Sequence, residues 1–119
     1  MSKEKRVKKG EIWRVDLGNN TVEHEQQGKR PAVIVANISS SNLATIILMT
    51  SNKSRMKFAY VCTIKDCEKS KIGYDGFALI YQIRTVSKKR LEEKVGEVSN
   101  EELKKIEEQM KIMFGFDMG

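Results

Sequence analysis

Two short stretches of this chain carry side chains suited to holding a phosphate group. The first is His24-Glu25-Gln26-Gln27-Gly28-Lys29-Arg30-Pro31. Arg30 precedes a proline, which biases its backbone toward an extended conformation and presents its guanidinium at a strand mouth. A guanidinium forks onto two phosphate oxygens and stays protonated. Glu25, five residues upstream, is near enough to orient Arg30 or to accept a proton. The second stretch is Thr50-Ser51-Asn52, at the end of an apolar run. A fixed Arg, a Glu and a strand-end hydroxyl can surround one phosphate. The same residues also read as a surface ion pair and as turn-forming hydroxyls.

Other chemistries find little support. No segment resembles a P-loop, a dinucleotide fingerprint or a nucleophile elbow. The single histidine, His24, sits in a polar stretch with no serine elbow to serve, and reads equally as a solvated loop residue. Cys62 and Cys67 cannot build a disulfide framework, and one histidine beside a Cys-x4-Cys pair makes a structural zinc site improbable. Reduced thiols fit a cytosolic protein. The longest apolar runs, Pro31–Ala36 and Leu43–Met49, fall far short of the ~20 residues of a membrane span. No apolar run follows the Lys-rich start, so no signal peptide is expected.

The elements that must position these groups belong to one domain, residues 1–119. Apolar residues make up 39% and charged residues 32%, a globular balance. The formal charge of +6 permits a polyanionic partner, and all of it resides in residues 1–60, which hold 11 basic and 5 acidic side chains. Lys3, Lys5, Arg6, Lys8 and Lys9 account for most of the excess, and residues 1–8 are expected to form a flexible basic tail.

Glu11–Leu17 alternates, with Trp13, Val15 and Leu17 on one face and Ile12, Arg14 and Asp16 on the other. A polar, turn-rich loop follows over Gly18–Gly28. Pro31–Asn37, Leu43–Met49, Ala59–Thr63 and Gly76–Ile83 read as further strands, Pro31 being tolerable at a strand start or on an edge. Lys53–Lys57 is a short basic segment, and Ser87–Leu91 reads as a helical turn. Short strands with hairpin-length links predict a small antiparallel β-barrel. The period then changes: Ser99 and Glu102 form a capping box, Leu103, Ile106, Met110, Met113 and Phe114 line one helical face, and Gly115 stops the helix. The fold class is therefore mainly β with a C-terminal α-helix.

Four segments resemble the MazF/PemK family of toxin endoribonucleases. Lys9–Leu17 is similar to the family's first strand, and Glu25–Val35 to its Glu-Gln-x-Gly-x-Arg-Pro signature and second strand. Ile46–Thr50 is similar to the third strand with its terminal hydroxyl, and Tyr81–Leu91 to the Gln-Ile-Arg-Thr segment. The likeness covers about residues 9 to 114. It implies an SH3-like barrel of the CcdB/PemK type and a cytoplasmic homodimer that cuts single-stranded RNA at short motifs without metal or cofactor. It also implies a cognate antitoxin whose acidic C-terminal tail occupies the RNA groove. Carried over by position, the catalytic Arg is Arg30, the catalytic hydroxyl is Thr50 and the implicated Glu is Glu25. Gln82 and Arg84 match groove-lining residues, and Lys29, His24 and Ser51 are expected along the RNA. The short turn Ser39–Asn42, His24 itself and the basic tail depart from the family pattern and bear on specificity. Two other readings stay open: a non-catalytic CcdB-like toxin that binds DNA gyrase, and an SH3-like RNA- or protein-binding module.

Overall fold

The alternating and β-branched segments become six strands: β1 (Glu11–Asp16), β2 (Lys29–Ile38), β3 (Leu43–Thr50), β4 (Val61–Ile64), β5 (Gly76–Ser87) and β6 (Leu91–Glu97). One helix, α1 (Asn100–Phe114), closes the chain, and 3₁₀ turns occupy Lys53–Lys57 and Lys88–Arg90. The computed structural model describes residues 6–18, 28–65, 73 and 75–116. Among the described residues, no helix is long and apolar enough to cross a membrane.

All strand pairs are antiparallel, in the order β4-β5-β3-β2-β1-β6. No ladder joins the edge strands β4 and β6. The expected barrel is thus a bent sheet that does not close by strand pairing, while the class, mainly β with one helix, is as expected. The bending has local causes. Register shifts fall between Ile34 and Ala36 and between Ile47 and Met49, where extra residues on one strand increase twist.

Both faces of the sheet are covered. On one face Ile12, Val33, Val35, Ile47, Met49, Ile64, Ala78 and Ile80 pack with Val98 and with Ile106 of α1. On the other, Val15, Leu17, Ala32, Ile34, Ala44, Ile46, Leu48 and Leu91 form a second cluster that includes Val7. Ile12, expected beside Arg14 and Asp16, is therefore fully buried. β6 has no strand signature in the sequence because two register shifts against β1 break its alternation.

Helix α1 forms where the capping box expects it: Ser99 Oγ accepts from Glu102 N–H and Glu102 Oε1 accepts from Ser99 N–H. Gly115, at φ +72°, closes it, with Gly115 N–H donating to Ile112 and Phe116 N–H to Lys111. Leu103, Met110 and Met113 pack against the core as the stripe predicts. Phe114 does not: it is 49% exposed and stacks on Phe116 at 5.6 Å. Residues 1–5 of the expected basic tail lie outside the described residues, and Val7 within it is held. Val7 is buried in the second cluster and its carbonyl accepts from Asn37 Nδ2, so packing anchors the chain before residue 8.

Candidate active site

Arg30 and Thr50 lie on neighbouring strands. The β2–β3 ladder begins at Ala32 opposite Leu48, and Arg30 and Thr50 each lie two residues past that pair. Pro31 stands between, with no N–H to give. The proline is neither first in its strand nor on an edge strand, contrary to expectation. It pairs with Arg14 on β1, and the ladder to β3 has not yet begun there, so β2 is bonded on one side only. Beyond Leu48, β3 turns to β5, with Thr50 opposite Phe77. Arg30 and Thr50 thus stand just past the point where their two backbones part.

Strand alternation fixes which way these residues point. Ala32, Ile34, Ile46 and Leu48 belong to the second cluster, so Arg30 and Thr50, each two residues further along, share that face. Arg84 is opposite Ile46 and joins them. Gln82 lies at the bend of β5, between Ala78 opposite Met49 and Ile83 opposite Ile47. Arg30 is exposed and Arg84 half-buried. Among the described residues no carboxylate pairs with Arg30.

Thr50 is only 8% exposed. Its Oγ1 accepts the N–H of Asn52 at 3.2 Å, and Asn52 Oδ1 in turn accepts from Ser54 N–H at 3.0 Å. The hydroxyl oxygen is held by an acceptor role, so its own proton is directed elsewhere; among the described residues it donates to no group. Such a hydroxyl suits donation to an anionic oxygen. Ser51, beside it, is exposed.

Lys29 is not brought to this group. It falls on the opposite face from Arg30, and its Nζ pairs with Glu92 Oε2 at 3.1 Å. His24 and Glu25 lie outside the described residues. The residues flanking them are joined: Leu17 N–H donates to Gly28 O at 2.8 Å and Gly28 N–H to Gly18 O at 2.9 Å. Gly18 and Gly28 both have positive φ, +72° and +78°, which glycine adopts without strain. Arg90 Nη1 donates to Asp16 O at 3.2 Å, bracing the same neck.

One further group lies beside Thr50, in the short basic segment of the sequence. The turn Lys53–Lys57 follows Thr50 directly and leads to Phe58, an exposed aromatic with Arg55 and Lys57 near its ring. Three cations with no acid in five residues were the available signal.

The comparisons with known proteins agree with one another. Residues 8–114 match the family model described as PemK-like, MazF-like toxin of type II toxin–antitoxin system. A curated endoribonuclease MazF from Staphylococcus saprophyticus is 30% identical over 111 residues, covering 92% of each chain. The crystal structure of MazF from Deinococcus radiodurans superposes with a TM-score of 0.75 at 19% identity, covering 91% of this chain and 96% of that one. A mycobacterial endoribonuclease in complex with its cognate antitoxin gives 0.73 at 20% identity, covering 93% and 97%.

Proposed function

The chain belongs to the PemK-like, MazF-like toxins of type II toxin–antitoxin systems, and from that membership we propose that it cuts single-stranded RNA at short sequence motifs, without a metal ion. It is an endoribonuclease, as the curated relative is named. The observation that carries the chemical reading is the shared face of Arg30 and Thr50 where β2 and β3 part.

RNA brings its own nucleophile, the 2′-hydroxyl. The site has to align that oxygen with the leaving 5′-oxygen and stabilise charge that grows on the phosphate. Arg30 forks onto two phosphate oxygens and offsets that charge. Thr50 donates its hydroxyl proton to a phosphate oxygen. Glu25 accepts the 2′ proton, since a guanidinium, which stays protonated, is a poor base. The 2′-oxygen bonds to phosphorus, the P–O5′ bond breaks, and the leaving oxygen takes a proton from water or from the Arg30 guanidinium. The products are a 2′,3′-cyclic phosphate and a 5′-hydroxyl.

Gln82 and Arg84 hold the neighbouring nucleotides. Ser51 and His24 border the RNA, and Lys29 stays with Glu92 at the rim. The working form is a homodimer in the cytoplasm, where its substrate is, and a cognate antitoxin with an acidic C-terminal tail occupies the groove. The antitoxin complex of the mycobacterial structural neighbour supports a cognate antitoxin as partner.

Incubating the protein with a mixed RNA pool and sequencing the ends tests this. Cuts at a recurring short motif with 5′-hydroxyl ends are expected, and Arg30→Ala should abolish them. Binding without cuts would favour a non-catalytic module instead.

A further inference from the structure

The segment that follows Thr50 is unusual for a surface turn. Lys53–Lys57 has no buried residue, yet it is ordered by its own caps: Asn52 Oδ1 accepts from Ser54 N–H, and Phe58 N–H donates to Arg55 O at 3.1 Å. It holds Lys53, Arg55 and Lys57 and no acid, and among the described residues none of the three is paired with a carboxylate. Phe58 ends it, 44% exposed as a residue. The Arg55 guanidinium carbon is 5.6 Å from the ring centroid and Lys57 Nζ is 5.7 Å from it. Behind it lies Tyr81 of β5, centroids 5.9 Å apart with planes at 57°, and the Tyr81 hydroxyl is buried with no partner among the described residues.

An exposed phenyl ring is poorly hydrated, and three clustered cations repel one another; both terms fall when a partner supplies a flat apolar face and negative charge. A nucleotide has both. The Asn52 N–H bond to Thr50 ties the start of this turn to the hydroxyl assigned to the scissile phosphate, so the turn begins beside the proposed cleavage point.

We infer that Phe58, flanked by Arg55 and Lys57, is a stacking subsite that receives a base next to the cleaved bond, the two cations gripping that nucleotide's phosphate. This rests on the reading of the chain as acting on single-stranded RNA. It assigns Phe58 to substrate positioning, not to bond breaking. Stacking accepts any base, so the subsite tightens binding with little sequence preference.

The test uses the whole protein and a random-sequence single strand with 2′-fluoro sugars, which lacks the attacking hydroxyl, beside an abasic strand of the same length. Phe58→Ala should weaken binding to the base-bearing strand by about tenfold and leave the abasic strand unaffected. Phe58→Trp should restore it. Replacing Arg55 and Lys57 with Gln should weaken both strands and lower the salt slope by about 0.7 per cation removed. Equal losses on both strands with Phe58→Ala, or none, would overturn the subsite. So would a loss confined to an acidic peptide, which would assign the ring to a protein partner. Cleavage of ordinary RNA by the wild type, measured in parallel, separates failure of this subsite from failure of the nuclease reading.

Discussion

Arg30 stands two residues before Ala32 on β2, and Thr50 two residues beyond Leu48 on β3, so both lie just past the last rung of the ladder that pairs Ala32 with Leu48. Their side chains share the face of the second core cluster. The packed ladder of Ala32, Ile34, Ile46 and Leu48 therefore fixes the strands that carry them. Rigid support of this kind is what electrostatic stabilisation of a phosphate requires.

Thr50→Val keeps the shape and removes the hydroxyl. Cleavage should fall by about 10²-fold or more, in the range seen when one oxyanion donor is lost. Thr50→Ser should retain most of the rate, because its Oγ can both accept from Asn52 N–H and donate to a phosphate. Single-turnover rates on a defined RNA, alongside thermal melts, check this; equal loss in both variants would point to packing.

Excess EDTA should leave the rate unchanged, because the nucleophile is the RNA's own hydroxyl and Arg30 supplies the charge. A strong loss that Mg²⁺ restores would contradict the mechanism.

Glu11 offers a test of stability. Its carboxylate is nearly buried, takes the Lys8 N–H at 2.8 Å and Trp13 Nε1 at 3.0 Å, and pairs with Lys94 at 3.2 Å. Burial pushes its pKa up, but these hydrogen bonds and Lys94 outweigh that and hold it below the ordinary carboxylate range. The stabilisation is thus present above the unfolded value of about 4.3 and lost as the pH falls through the lower folded value. Glu11→Gln should cost about 1–2 kcal/mol at neutral pH and flatten the acid side of the melting profile. An unchanged acid profile would remove Glu11 from the account.

The helix tests the two-sided core. Ile106→Ala should cost about 2–5 kcal/mol, since the side chain is fully buried, whereas Phe114→Ser should stay within about 0.5 kcal/mol. Urea unfolding of the two variants gives the comparison.

What could be read in advance divides along physical lines. The strand ends that carry Arg30 and Thr50 were legible, because a proline follows the one and an apolar run ends on the other, whereas their assignment to one phosphate came from the family resemblance. The helix was legible to both its caps, since Ser99, Glu102 and Gly115 act through their own neighbours. β6 was not, because its pairing with β1 slips twice and its alternation is lost. Ile12 was misplaced for a related reason: alternation predicts one wet face, and here the helix and β5 dry the other. Phe58 looked like core material by type. Only the fold shows that no residue of its turn is buried and that Arg55 and Lys57 gather at its ring.

The most direct measurement is a double-substitution cycle of Arg30→Ala and Thr50→Ala, read as cleavage rate on one defined RNA. If both side chains grip the same phosphate, each alone should lose about 10²–10³-fold and the pair should lose little more than the worse single variant. Losses that multiply in full, or near-normal turnover by Arg30→Ala, would contradict a shared phosphate site.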